Sequence, residues 1–137
     1  MAKVVATQVV VKIGGVDLSS YVSNVSLSSS ADAIEVTSFS SAGARERVSG
    51  LKDNSVTIDF MQDFAASAVE QTIYPLIGST AIAFEILPNG TAVGTANPKY
   101  TGSLIVTDWT PVAGAVGELL TASVTWPITG AITKATA

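Results

Sequence analysis

The 137-residue chain contains no cysteine and no histidine. The missing histidine removes Ser-His and Cys-His nucleophilic machinery, and the missing thiol removes redox chemistry and disulfides. Ordinary zinc sites fall away with both residues. Charge is also scarce: 13% of residues are charged, against roughly 25% in a typical soluble domain. The formal net charge is −4 and the isoelectric point is about 4.5. That balance is wrong for a protein that grips nucleic acid by neutralising phosphates. No apolar run approaches the ~20 residues that a membrane helix needs. Met1-Ala2-Lys3-Val4 opens into strand-like sequence without a signal-peptide pattern. Low charge is nevertheless combined with 47% hydrophobic residues and a mean hydropathy of +0.46. A small domain has much surface to cover. Neutral polar residues, 16 Ser and 15 Thr, can cover part of it, and the remainder points to surfaces covered by partners.

What is present is β-branched residues in a period of two. The clearest strand is 55–61, where Val56, Ile58 and Phe60 oppose Ser55, Thr57 and Asp59. Residues 119–128 repeat the pattern, with Leu120, Ala122, Val124, Trp126 and Ile128 against Thr121, Ser123 and Thr125. Shorter alternations mark strands over 8–13, 22–29, 33–37 and 81–87, and a long strand is expected over 100–109. Gly14-Gly15 and Pro88-Asn89-Gly90 read as turns. The period changes once. Ala65, Val69, Ile73 and Leu76 form a helical stripe within 64–77. Asp63 stands where a cap would sit, Gly78 where the helix would end, and Pro75 should kink or stop it near Tyr74. Residues 38–53 and 88–99 show no sustained period and read as long loops, and the Ala/Thr-rich stretch 131–137 reads as a frayed or partner-bound tail. The chain is expected to be one domain, 1–137, mainly antiparallel β with one α-helix packed on the β-core.

No catalytic, cofactor-binding or metal-binding constellation emerges. Asp17, Asp59, Asp63 and Glu85 sit on different elements at no recognised ligand spacing, and read as solvated strand faces and a helix cap. The glycines match no phosphate loop, and Asn24-Val25-Ser26 and Asn89-Gly90-Thr91 read as chance composition rather than glycosylation sites. Trp109 and Trp126 read as core or interface anchors. Arg45-Glu46-Arg47 holds both arginines of the chain. It is either a solvated loop tip or an inter-subunit contact; Phe39, Val48 and Leu51 around it favour the contact.

The order of these features resembles the major tail tube proteins of long, non-contractile-tailed bacteriophages, the siphophage tail tube family. The resemblance is carried by Val11–Val22 with its Gly14-Gly15 turn and by Ile34–Phe39 leading through the long loop into Val48–Asp53. It continues through Ser55–Phe60 followed by the helix, Asn97–Gly102, Pro111–Gly114, Leu120–Trp126 and Thr129-Gly130. The resemblance implies an antiparallel β-sandwich or barrel-like tail tube fold, mainly β with one α-helix, and a structural virion protein, not an enzyme, without cofactor, that polymerises as stacked homo-hexameric rings. The inner sheets of a ring would join into one continuous barrel around a channel for DNA delivery. It implies partnership with tape measure, tail terminator and tail tip proteins, no membrane association, synthesis in the bacterial host cytoplasm and residence in the virion tail. The family's inter-subunit role for the long loop maps onto Phe39, Arg45, Glu46, Arg47, Val48, Leu51 and Asp53. Candidate lumen-facing residues are Thr57, Asp59, Thr121, Ser123 and Thr125, since a neutral or acidic lining lets DNA pass without specific binding. The alternatives are another virion component, such as a head-tail connector or capsid decoration protein, and a carbohydrate-binding β-sandwich module.

Overall fold

A computed structural model describes residues 3–137. Seven strands follow in the order β1 (Val10–Ile13), β2 (Val16–Asp17), β3 (Val22–Glu35), β4 (Arg47–Met61), β5 (Ile82–Leu87), β6 (Lys99–Leu104) and β7 (Thr121–Ala135). One short helix, α1 (Val69–Ile73), lies between β4 and β5. All pairings are antiparallel, in one sheet of order β2-β1-β5-β6-β7-β4-β3. The sheet curls without closing. Val9 and Val11 near one edge and Val22 and Val25 of the opposite edge strand line a common cleft.

Alternation decides which face is buried. Val56, Ile58 and Phe60 of β4 stand opposite Trp126, Val124 and Ala122 of β7, and all six are buried. Val11 and Ile13, Phe84 and Ile86, and Leu104 continue that face across β1, β5 and β6. Phe60 holds the centre. Its ring centroid lies 5.5 Å from Trp109, edge-on, and 6.0 Å from Trp126. Each indole N–H is satisfied: Trp126 donates to the Asp108 carbonyl at 3.0 Å and Trp109 to Glu70 Oε1 at 2.7 Å. Both tryptophans are therefore core anchors with a polar tether. The Gly14-Gly15 turn has φ of 61° and 82°, the two left-handed positions that a two-residue hairpin between Ile13 and Val16 demands.

Five expectations need correction. The helical stripe of 64–77 yields only Val69–Ile73 as α-helix, followed by a 3₁₀ turn at Tyr74–Leu76 where Pro75 enters. Asp63 does not cap this helix. Its Oδ1 accepts the Ala65 N–H at 2.9 Å, closing a local turn, and Ser67 at φ 62° breaks the path into the helix. The expected strand 100–109 ends at Leu104; residues 105–109 instead run past the core, delivering Val106 and Trp109 to it. Residues 131–135 are not a frayed tail but the end of β7, whose Thr133–Ala135 pair with Lys99–Thr101 of β6. The stretches 22–29 and 33–37, read as separate strands, are one strand through Glu35, interrupted by a register shift near Ala31.

Phe60→Ala should cost about 3–5 kcal/mol, because it removes the ring that both indoles pack against. Urea denaturation of the purified protein measures this.

Candidate functional site

Two features stand out of the fold: a ribbon that leaves the body, and a polar face that covers it.

The ribbon is made by β3 and β4. Their ladder runs from Val22↔Phe60 to Glu35↔Arg47, whereas the β4–β7 ladder stops at Asn54↔Ile128. Beyond Asn54, β3 and β4 continue as a two-stranded arm. The stretch expected to be a loop over 38–53 is thus a loop only over 36–46. Arg47, Val48, Leu51 and Asp53 lie on β4, because cross-strand pairing to β3 satisfies their backbone. The turn is built locally. Thr37 Oγ1 accepts the Glu46 N–H at 3.0 Å and Ser41 Oγ accepts the Ser38 N–H at 3.0 Å. Ala42 and Gly43 adopt left-handed φ of 53° and 86°. This geometry throws Phe39 fully into solvent. Arg45 Nη1 meets Glu35 Oε1 at 3.1 Å, an exposed pair that contributes little by itself.

The arm gathers Phe39, Arg45, Glu46, Arg47, Val48 and Leu51 at one end of the molecule, while Asp53 stays at its base opposite Ser30. Sequence reasoning missed Ile34 and Val36 as members of the same apolar group. Ile34 pairs with Val48 across the ladder, and both are about half exposed. Gly50 makes room for it, since a Cβ there would fall 2.7 Å from Ile34 Cδ1. A two-stranded ribbon with bare apolar side chains and free edges is marginal in water.

Asn54 also escaped notice and marks the fork. It is one of two buried polar residues among those described, with Ser41. Its Oδ1 accepts from Ser29 Oγ at 2.5 Å, and its Nδ2 donates to the Gly130 carbonyl at 3.3 Å. One side chain thereby ties β3, β4 and β7 where the arm departs.

The polar face lies on the opposite side of the sheet from the core. Thr57 pairs with Thr125, their hydroxyls 3.0 Å apart, Asp59 with Ser123, and Met61 with Thr121. All five candidate lumen residues therefore share one face. β3 extends it with Asn24, whose Nδ2 donates to Asp59 Oδ2 at 3.3 Å, and with Ser26 and Ser28. The four acids weighed from sequence do not converge. Asp17 binds Ser19, Asp59 binds Asn24, Asp63 binds Ala65 and Glu85 faces Lys99 at 3.8 Å. Among the described residues no group of three or more potential ligands could hold a metal ion. The Ser19 hydroxyl and N–H hold the Asp17 carboxyl below its ordinary range.

No protein-family model matches the chain, and no curated protein is recognisably similar in sequence. Solved structures do match. A chain of the virion of a native gene transfer agent particle superposes with a TM-score of 0.74 at 15% identity, over 93% of this chain and 95% of that one. A chain from the tail of an empty gene transfer agent particle, described with C6 symmetry, gives 0.66 at 17%, over 82% and 81%. A chain of the sheath-tube complex of an extracellular contractile injection system, in its extended state, gives 0.73 at 12%, over 98% and 93%. The chain thus has a fold that recurs in phage-like tail and injection assemblies.

Asn54→Ala leaves the Gly130 carbonyl and the Ser29 hydroxyl without their partner and should cost about 1–3 kcal/mol in chemical denaturation. Because the folded-state pKa of Asp17 is lowered, its stabilising effect is present above the ordinary carboxylate value of ~4 and is lost as pH falls below it. Asp17→Asn should therefore be less stable than the parent at neutral pH, and the gap should close on acidification, as read by thermal melts across pH.

Proposed function

We propose that this chain is the structural subunit of a phage-type tail tube, built from six-membered rings stacked into a hollow conduit for DNA. The observation that carries the proposal is the arm: apolar side chains and both arginines held on a projecting ribbon that has no partner within its own subunit. The fold shared with chains of tail and injection assemblies supports it, and so does the C6 symmetry of one of them. In its narrower form the assembly is a long, non-contractile tail, whose tape measure, terminator and tip proteins would meet the tube at its centre and ends. The protein would be made in the host cytoplasm and reside in the virion.

In this assembly the open sheet edges find partners in neighbouring copies, giving one continuous barrel per ring and removing the edge liability. The Thr57, Asp59, Thr121, Ser123 and Thr125 face would line the channel. It presents hydroxyls and a carboxylate but no cation, so a phosphate backbone slides past without being held. The arm carries the inter-subunit contact through Phe39, Arg45, Glu46, Arg47, Val48 and Leu51, with Asp53 at its root. The role is mechanical, not enzymatic.

Concentrated purified protein, or protein mixed with tail-tip partners, should form rings or tubes under the electron microscope; a strictly monomeric species would refute the proposal. Arg45→Ala combined with Arg47→Ala should shift folding stability by less than about 1 kcal/mol, as expected for exposed charges, yet reduce tube yield severely. Pelleting assays beside thermal melts separate the two effects.

A further inference from the structure

The arm is not a regular ribbon. The β3–β4 ladder runs without interruption from Asn24↔Asp59 to Ala31↔Lys52 and resumes at Ala33↔Ser49. One residue of β3, Asp32, therefore stands opposite two of β4, Gly50 and Leu51, which is the count of a β-bulge. Were the register to run on unbroken, Ile34 would face Ser49 and Glu35 would face Val48. With the bulge, Ile34 meets Val48 and Glu35 meets Arg47, an apolar pair and an opposite-charge pair.

The extra residue also exchanges the sides of β4. Strict alternation would put Arg47 and Ser49 on the side of Thr57 and Asp59, and Val48 on the core side. Beyond Gly50 this is reversed. Val48 turns to the side of Ile34, which on the regular part of β3 is that of Asn24, Ser26 and Ser28. Gly50 permits the close approach that this requires: a Cβ there would fall 2.7 Å from Ile34 Cδ1 and 3.1 Å from Asp32 Cβ. Leu51 is turned out into solvent, 81% exposed.

Placement gives the bulge its consequence. It follows Asn54 after the pairs Asp53↔Ser30 and Lys52↔Ala31, where β7 is no longer paired to β4. A bulge bends its strand and increases the local twist, and no third strand is paired there to oppose it. We propose that Gly50 and Leu51 are positioning residues: the bulge they form sets the angle at which the arm leaves the body, and assembly requires that angle. Only the second half of the inference rests on the tube reading, since the angle belongs to the single chain. At ~3.3 Å per residue the tip lies roughly 20 Å past Asp32, so each ~10° of bend displaces Phe39 by about 3–4 Å.

Deleting Leu51 removes the bulge and leaves Ile34↔Val48 and Glu35↔Arg47 in register, whereas Leu51→Ala keeps the bulge and removes only the side chain. The chain has no cysteine, so Phe39→Cys with Ala83→Cys on β5 supplies two unique sites for spin labels. Double electron–electron resonance on dilute protein then reads the distance from arm tip to body. The deletion should shift the mean distance by about 3 Å or more, while Leu51→Ala matches the parent. A glycine inserted after Ala31 removes the bulge from the other strand and should shift it too, so the test does not depend on how one variant folds. In unlabelled protein with a parental melt, the deletion should raise the critical concentration for polymerisation about tenfold or more above that of Leu51→Ala. An unshifted distance in both bulge-free variants overturns the angle. A shifted distance with parental assembly, or equal loss in Leu51→Ala, overturns the role in assembly. A parent chain that never polymerises overturns the tube reading, and the spin-label distances still decide the angle.

Discussion

The structure depends on β4 serving two environments with one strand. From Asn54 to Met61 it lies between β3 and β7, alternating core residues with Thr57 and Asp59. From Arg47 to Asp53 it has only β3 beside it, and both its faces meet solvent. Backbone pairing to β3, shifted in register once near Ala31, joins the buried half to the exposed half. An arm built on a strand is held in direction, as an eleven-residue loop alone would not be. Asn54 stands at the transition, where a buried amide is tolerated because both its donor and its acceptor are used.

Other features follow from this division. The core half anchors the sheet through Phe60 and its two indoles, and the polar half of the same alternation makes a nearly uncharged outer face. The low charge of the whole chain then has a physical meaning. Its flanks are neutral hydroxyl surface, and its bare apolar groups stand at opposite ends of one strand. Apolar area of this extent, left bare at both ends of a low-charge chain, marks surfaces fit for interaction.

Legibility followed burial. The strands 55–61, 81–87 and 119–128 were readable because one face enters the core and imposes a period of two on the sequence. The β4 half of the arm was not, because Arg47–Asp53 faces water on both sides and nothing selects for alternation there; the β3 half showed only as a separate short strand over 33–37. Glu35 opposite Arg47 and Ile34 opposite Val48 were the only local signals, and a register shift near Ala31 separates them from the rest of the ladder. The end of β7 was missed for a similar reason, since Ala, Thr and Lys at 131–135 carry little hydropathy and only Ile132 turns toward the core. The helix was overextended because Val69, Ile73 and Leu76 hold a true stripe, while the turn closed by the Asp63 side chain and the left-handed Ser67 displace Ala65 from it. Of the site, the charged and aromatic residues of the arm and the five polar face residues were visible from sequence. Asn54, Ile34 and Val36 required the chain's path in space.

The central claim is that this chain assembles through its arm into a hollow tube of six-membered rings. Cryo-electron microscopy of the assembled protein tests it most directly. The account predicts six-fold rings around an open channel, with every arm engaged by a neighbouring copy. A planar lattice, a filament without a channel, or arms folded back on their own subunits would contradict it.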